Sequence, residues 1–441
     1  MTKLIIEGGV PLHGSVRVGG AKNASYKIMI ASLLADSPSR LLNLPQIADV
    51  QLTSQIIRSL GGQVEKRGER MLWLDPTKLT HHRLDPEVGE SSRASTIFLP
   101  VLLAKFGQAI VPAPGGDKIG KRPLERHFDG LKALGAKIEI KDNQIHASLP
   151  HGKFQGTNYH FAKNTHTGTE TLLLAAALAE GVTILENAAI EPEVIDLINF
   201  LNEMGAHIKQ IKPRVFEIIG TNKLHGAIHK IMPDRNEVVS YACAAIATKG
   251  DIVVENAREG DLTAFLQKLS EIGAGYQVGD FGIRFFYYQP LQATDITTTI
   301  HPGFMTDWQP LWATLIAHCH GVSTIHETVM QSRFQYAQAL SVMGAKLEIF
   351  QPPVDNPEKV YNFNLADDAA DACHALKIFG PTQFQGGNFH IHDLRAGATL
   401  ILAALSGSGQ TTLENVEQID RGYEKLDYRL CQLGAKIKRL K

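Results

Sequence analysis

A chain of 441 residues is too long for one ordinary hydrophobic core, so two or three domains are expected. Hydrophobic residues at 44% and charged residues at 20% give a globular composition, and a formal net charge of −1 supplies no global field for nucleic acid or an anionic membrane. No secretory h-region opens the sequence, no apolar stretch approaches a membrane span, and Cys243, Cys319, Cys373 and Cys431 lack CxxC spacing, which points to a reducing cytoplasm without a disulfide framework.

Along the chain, the first informative stretch is GGAKNAS, which places Lys22 and Asn23 at a predicted helix start. A helix then ends in SLGGQVE, the first of six similar endings: Gly62, Gly135, Gly205, Gly273, Gly344 and Gly434, each followed by a short strand. These glycines lie 73, 70, 68, 71 and 90 residues apart and suit left-handed helix C-caps. Before each helix a β-rich run enters a turn, as in GVTILENAAIEPEV, GDIVVENAREGDL, GVSTIHETVMQSRF and GQTTLENVEQIDRGY. The Ala- and Leu-rich segments TETLLLAAALAEG and RAGATLILAALSGSG are hydrophobic nearly all round, so they are expected to be buried helices.

Six α/β units of this length suit two globular domains of three units each, dividing near residues 228–235, around HKIMPDRNE. The predicted division is 1–21 with 232–441, and 22–231. The long last interval is read as an insertion within 351–388 that holds one short helix.

Four strand-to-helix junctions carry basic residues: Lys22, then Lys118, Lys121 and Arg122 in PGGDKIGKRPLERH, Arg333 in QSRF, and Arg421 in IDRGYE. A cation at a helix start opposes the dipole, whereas the free N–H groups there favour phosphate or carboxylate, so anion binding is the functional reading and a solvated surface the structural one. Gly115 to Lys121 matches the core of a P-loop, but Arg122 stands where magnesium needs Ser or Thr, so a nucleoside triphosphatase is rejected. His318, His320, His326, His390 and His392 show no recurring ligand spacing, and no metal site is expected. Asp307 in HPGFMTDWQP and Asp393 in HIHDLRAGAT are candidate catalytic carboxylates. Their structural alternatives are an N-cap for Asp307 and an ion pair of Asp393 with Arg395.

Together GGAKNAS, SSRAS, PGGDKIGKRP, MPDRNE, HPGFMTD, SRF, HDLRA and IDRGYE closely resemble the UDP-N-acetylglucosamine 1-carboxyvinyltransferase family of enolpyruvyl transferases, from Leu4 to the C-terminus. The resemblance implies a two-domain inside-out α/β barrel with the active site between domains. It also implies transfer of the enolpyruvyl group of phosphoenolpyruvate to UDP-N-acetylglucosamine at the start of peptidoglycan synthesis. Neither metal nor organic cofactor is implied, and a monomer or weak oligomer is expected. Lys22, Arg122 and Arg421 match the clamp on phosphoenolpyruvate, Arg93 an arginine near the phosphates, and Arg333 and Arg395 arginines that orient loops and acidic residues. Asn23 matches a sugar contact, Arg122, Pro123, Leu124, Glu125 and His127 lie in the uridine segment, and His166, Thr167, Gly168 and Val329 fall among the substrate contacts. Asp307 matches the base for the sugar 3′-hydroxyl, and Asp393 an aspartate beside the reacting centre.

Asp117 stands where most of the family has cysteine. A carboxylic acid of raised pKa can deliver the same proton but is a poor nucleophile towards an epoxide, so insensitivity to covalent fosfomycin inactivation is expected. Thr165–Gly168, Met330 and Ile97 also depart from the family pattern, which leaves two alternatives standing: transfer to another nucleotide, or a sugar-nucleotide-binding regulator.

Overall fold

The computed structural model describes residues 2–86, 93–113, 124–331, 333–369 and 371–440, with backbone alone at 93 and 94. They form two compact units. One joins the chain up to Gly19 to everything from Pro233 onward; the described residues of the other run from Gly20 to Met232.

In the first unit, three helices with almost no polar face are buried and pack on one another: Arg235–Ala247, Gln309–Ile316 and Leu394–Ser406. Sequences such as VVSYACAAIA have apolar or small residues at every angle around the axis, which only a helix-lined interior accommodates. A second set of helices, Thr263–Glu271, Ala337–Val342 and Leu426–Gln432, buries one face only. Three four-stranded sheets complete the unit, each with one parallel and two antiparallel pairings. His13–Arg17 runs parallel to Asp251–Glu255, which pairs antiparallel with Gly282–Phe286, which in turn pairs with Gly275–Gly279. The same order recurs in Ile296–Thr297, Gly321–His326, Ala375–Gly380 and Lys346–Phe350. In the last sheet, strand Lys3–Glu7 takes the third place, between Gln410–Glu414 and Lys436–Leu440, with Asn388–His390 at the edge.

The second unit repeats the plan. Helices Lys22–Ala31, Phe98–Phe106 and His166–Ala176 supply its buried layer. Strand Ile228–Lys230 returns from the end of the unit to pair with Ser39–Leu42. Among the described residues no helix is long and apolar enough to cross a membrane, no group of three or more His, Cys, Asp or Glu could hold a metal ion, and the four cysteines are free.

Two expectations need correction. The first repeat's left-handed glycine is Gly61, at φ 97°, and not Gly62; Leu60 ends the helix and a Cβ at 61 would lie 2.5 Å from the Lys78 carbonyl oxygen. The other five landmark glycines all have positive φ. The segment 351–388 is only partly additional, because Ala375–Gly380 is the central antiparallel strand of its sheet. Elsewhere a tight hairpin joins the edge strand to this strand, as where Lys141 pairs Gln144 across Asp142 and Asn143, both left-handed. Here Phe350 pairs Ala375, and residues 351–374 replace the turn.

A further repeat signal lies at the strand ends. Asn43, Asn187, Asn256 and Asn415 each follow a strand with φ of 61°, 53°, 68° and 61°. Each side-chain amide donates to a carbonyl beside the neighbouring parallel strand, at Ile231, Phe161, Val18 and Ile391. Asparagine tolerates this backbone and supplies the donor that the turn needs. The two repeats without it carry Ala113 and Glu327 at the corresponding place.

Candidate active site

In the first unit the chemistry gathers on Asp307. The HPGFMTD turn brings it to the start of helix Gln309–Ile316, but Trp308 is the N-cap residue and no side chain caps this helix. Its carboxylate instead accepts from two buried guanidinium groups: Arg333 Nη2 at 2.6 Å on Oδ1 and Arg395 Nη2 at 3.0 Å on Oδ2. The arginine side chains are 5% and 9% exposed and Asp307 is 23% exposed, so the carboxylate keeps some access to solvent while buried charges fix its position. Arg395 Nη1 also donates to the Tyr423 hydroxyl at 3.0 Å, which lies 2.7 Å from Ser240 Oγ. Burial works against the Arg395 charge, but Asp307 and Tyr423 outweigh it and the guanidinium stays protonated.

The two structural alternatives exchange places. Asp393, not Asp307, is the N-cap: its Oδ1 accepts from the backbone N–H of Arg395 at 2.8 Å and Ala396 at 2.9 Å. The ion pair expected of Arg395 with Asp393 is made with Asp307. Asp393 thereby fixes the helix start that carries Arg395.

Glu327 ties this turn to the next loop. Its Oε2 accepts from Thr306 Oγ1 at 2.9 Å, and Oε1 accepts from the Val329 and Met330 amides at 2.8 and 2.9 Å. Burial raises its pKa against the opposing pull of Arg333 and those amides. Arg421 lies half-buried at the C-cap of Glu417–Asp420, two residues before Tyr423, rather than at a helix N-terminus.

In the second unit Lys22 opens its helix, pairs with Asp49 at 2.9 Å and lies 5.7 Å from the centre of the Tyr26 ring. Asn23 follows it, half-buried. One helical turn on, Lys27 is buried and forms an ion pair with Glu170. His166 Nε2 completes the group, 3.4 Å from Lys27 Nζ and 3.3 Å from Glu170 Oε1. Burial pushes the Glu170 carboxyl up, but Lys27 and His166 together bring it below its usual range; both cations are raised against the same burial by Glu170. The helix start holding His166, Thr167 and Gly168 is capped by Thr165, which accepts from Gly168 N–H at 3.2 Å. A Cβ on Gly168 would stand 2.3 Å from Thr165 Cγ2, so the close cap requires glycine. His127, on the helix after half-buried Leu124 and exposed Glu125, has Nδ1 2.9 Å from Thr171 Oγ1. Thus His127, the Thr165–Gly168 turn and the Lys22 helix adjoin through Thr171, Glu170 and Lys27.

Asp117, Arg122 and Pro123, and the side chain of Arg93, lie outside the described residues. Sequence reasoning missed Lys27, Glu170, Glu327 and Tyr423. Signals existed for three of them: Lys27 is a charge directly before the apolar run IMIA, Glu170 one directly before TLLLAA, and Glu327 replaces the asparagine of four sister repeats.

The family model for EPSP synthase (3-phosphoshikimate 1-carboxyvinyltransferase) matches residues 6–430. The chain is 39% identical to UDP-N-acetylglucosamine 1-carboxyvinyltransferase of Idiomarina loihiensis, over 100% of both chains. It is also 39% identical to UDP-N-acetylglucosamine 1-carboxyvinyltransferase 3 of Caldanaerobacter subterraneus, again over 100% of each. Among solved structures, the enolpyruvyl transferase NikO from Streptomyces tendae superposes with a TM-score of 0.85 at 25% identity, covering 99% of this chain and 98% of the other.

Proposed function

The chain belongs to the enolpyruvyl (carboxyvinyl) transferase family that includes EPSP synthase, and from that premise we propose that it transfers the enolpyruvyl group of phosphoenolpyruvate to the 3′-hydroxyl of UDP-N-acetylglucosamine, releasing phosphate. The observation that carries this reading is the Asp307 carboxylate, partly exposed and fixed by two buried arginines. A base held in this way needs no reorganisation when a hydroxyl approaches. Asp307 takes the 3′-hydroxyl proton as the oxygen attacks C2, while C3 gains a proton, for which Asp117 is the proposed donor. The resulting tetrahedral phosphate adduct then loses phosphate from C2 and a proton from C3 to give the enol ether. Lys22, Arg122 and Arg421 are the proposed clamp on the substrate anion, and the Lys27–Glu170–His166 group the support beneath the Thr165–Gly168 turn.

The product places the protein at the entry to peptidoglycan synthesis. A second reading, transfer to a different nucleotide, draws on the buried His166–Lys27 group beside the proposed nucleotide contacts. Phosphate release on mixing the purified protein with phosphoenolpyruvate and UDP-N-acetylglucosamine tests the choice. Release that requires both substrates supports the first reading; release that does not depend on the sugar nucleotide refutes it.

A further inference from the structure

Among the described residues, the connection 351–374 is the place where a repeat's hairpin turn is replaced by a folded segment, described at 351–369 and 371–374. A surface loop of that length needs no internal core, yet this one has one. Tyr361 and Phe363 are buried and stacked, with ring centres 4.9 Å apart, and the His374 ring lies 4.9 Å from each. His374 Nε2 is 2.7 Å from Asp368, and the Tyr361 hydroxyl is 3.3 Å from Nε2 of His326, the last residue of the strand leading into Glu327.

From that core the segment reaches the Glu327–Gln331 loop in three places. Asn362 N–H donates to the Thr328 carbonyl at 2.8 Å, the His374 carbonyl accepts from Glu327 N–H at 2.8 Å, and Gln331 Nε2 donates to the Asn364 carbonyl at 3.2 Å. On its other side the loop is held by Glu327 itself, through Thr306 and the Val329 and Met330 amides.

We propose that residues 351–374 are a brace that holds the Glu327–Gln331 loop in the conformation used for sugar-nucleotide binding. The effect on binding rests on Val329 being a substrate contact, as in the proposed function; the bracing itself does not. A loop that occupies its competent conformation about a tenth of the time weakens apparent affinity about tenfold.

The test replaces 351–374 with an Asp-Asn dipeptide, the sequence that turns the sister hairpin at Asp142 and Asn143. In the full chain carrying this change, exchange of the Thr328, Val329 and Met330 amides should speed up about tenfold, and the KM for UDP-N-acetylglucosamine should rise about tenfold with the KM for phosphoenolpyruvate changed less than twofold. A folded variant with wild-type amide exchange overturns the proposal. If the shortened chain does not fold, Tyr361→Ala should reproduce both effects while Tyr361→Phe, which keeps the stack, restores them; Tyr361→Ala with wild-type exchange overturns it equally. Val329→Ala separates the two readings. If it leaves the KM unchanged while the shortened chain still exchanges faster, the brace stands and the role given to Val329 fails.

Discussion

Lys27→Met isolates one of the most buried charges in the second unit. The Lys27 and Glu170 side chains are 3% and 0% exposed, so neither has water to replace its partner. Removing the lysine leaves a carboxylate in the interior with His166 at 3.3 Å as its remaining cation. Breaking a buried pair from one side costs about 3–5 kcal/mol, and the surviving histidine places the expected loss near the lower end, about 3 kcal/mol. Removing both charges leaves nothing to desolvate, so Lys27→Met with Glu170→Leu should be about 2 kcal/mol more stable than Lys27→Met alone. Glu170 can also escape its penalty by taking a proton, so the loss in Lys27→Met should shrink as pH falls towards 5. Hydrogen exchange along a urea titration, read on peptides from Lys22–Ala31 and His166–Ala176, measures the opening free energy of this unit alone. A loss below about 1 kcal/mol, or a double variant less stable than both single ones, would refute the picture of a buried charged carboxylate.

Asp307→Asn keeps the shape of the side chain but removes the proton acceptor, so kcat for phosphate release should fall about 10²–10⁴-fold with far smaller changes in either KM; a fall of less than tenfold rejects Asp307 as the base. Fosfomycin should leave the mass of the intact protein unchanged, because Asp117 offers a carboxylate where an epoxide needs a thiolate, and Asp117→Cys should gain an adduct. Glu237, buried beside Arg429 at 3.1 Å, is pushed up to about 7 by burial from an ordinary 4.5. A raised folded pKa contributes stability that is complete below 4.5 and lost as pH rises through about 7. Glu237→Gln, which carries no titrating charge, should therefore gain relative to wild type between pH 5 and 8 in thermal unfolding; a constant difference across that range contradicts the assignment.

The repeat was legible because its signals are local. A glycine after a helix and an apolar helix before a β-rich run are each set by a handful of neighbouring residues. Gly61 and Gly62 satisfy the same sequence cue, and only the backbone angle separates them. Asp307, Arg333 and Arg395 could be named from their motifs, but not the pattern of their pairing. Whether Asp393 caps its helix or meets Arg395 depends on a χ angle and a turn that the sequence does not encode locally. Ala375–Gly380 was absorbed into the supposed insertion because its partners, Gly321–His326 and Lys346–Phe350, lie on the far side of residues 351–374.

The place of Lys3–Glu7 bears on how the polypeptide matures during translation. Its two neighbours, Gln410–Glu414 and Lys436–Leu440, are synthesised only after the whole of the second unit, so Lys3–Glu7 must wait for its ladder partners while the intervening chain is made. By comparison, the described residues from Gly20 to Met232 belong to one unit, which can acquire its structure while synthesis continues. Meanwhile Leu4 and Ile6, both buried in the folded unit, await the ladder that covers them.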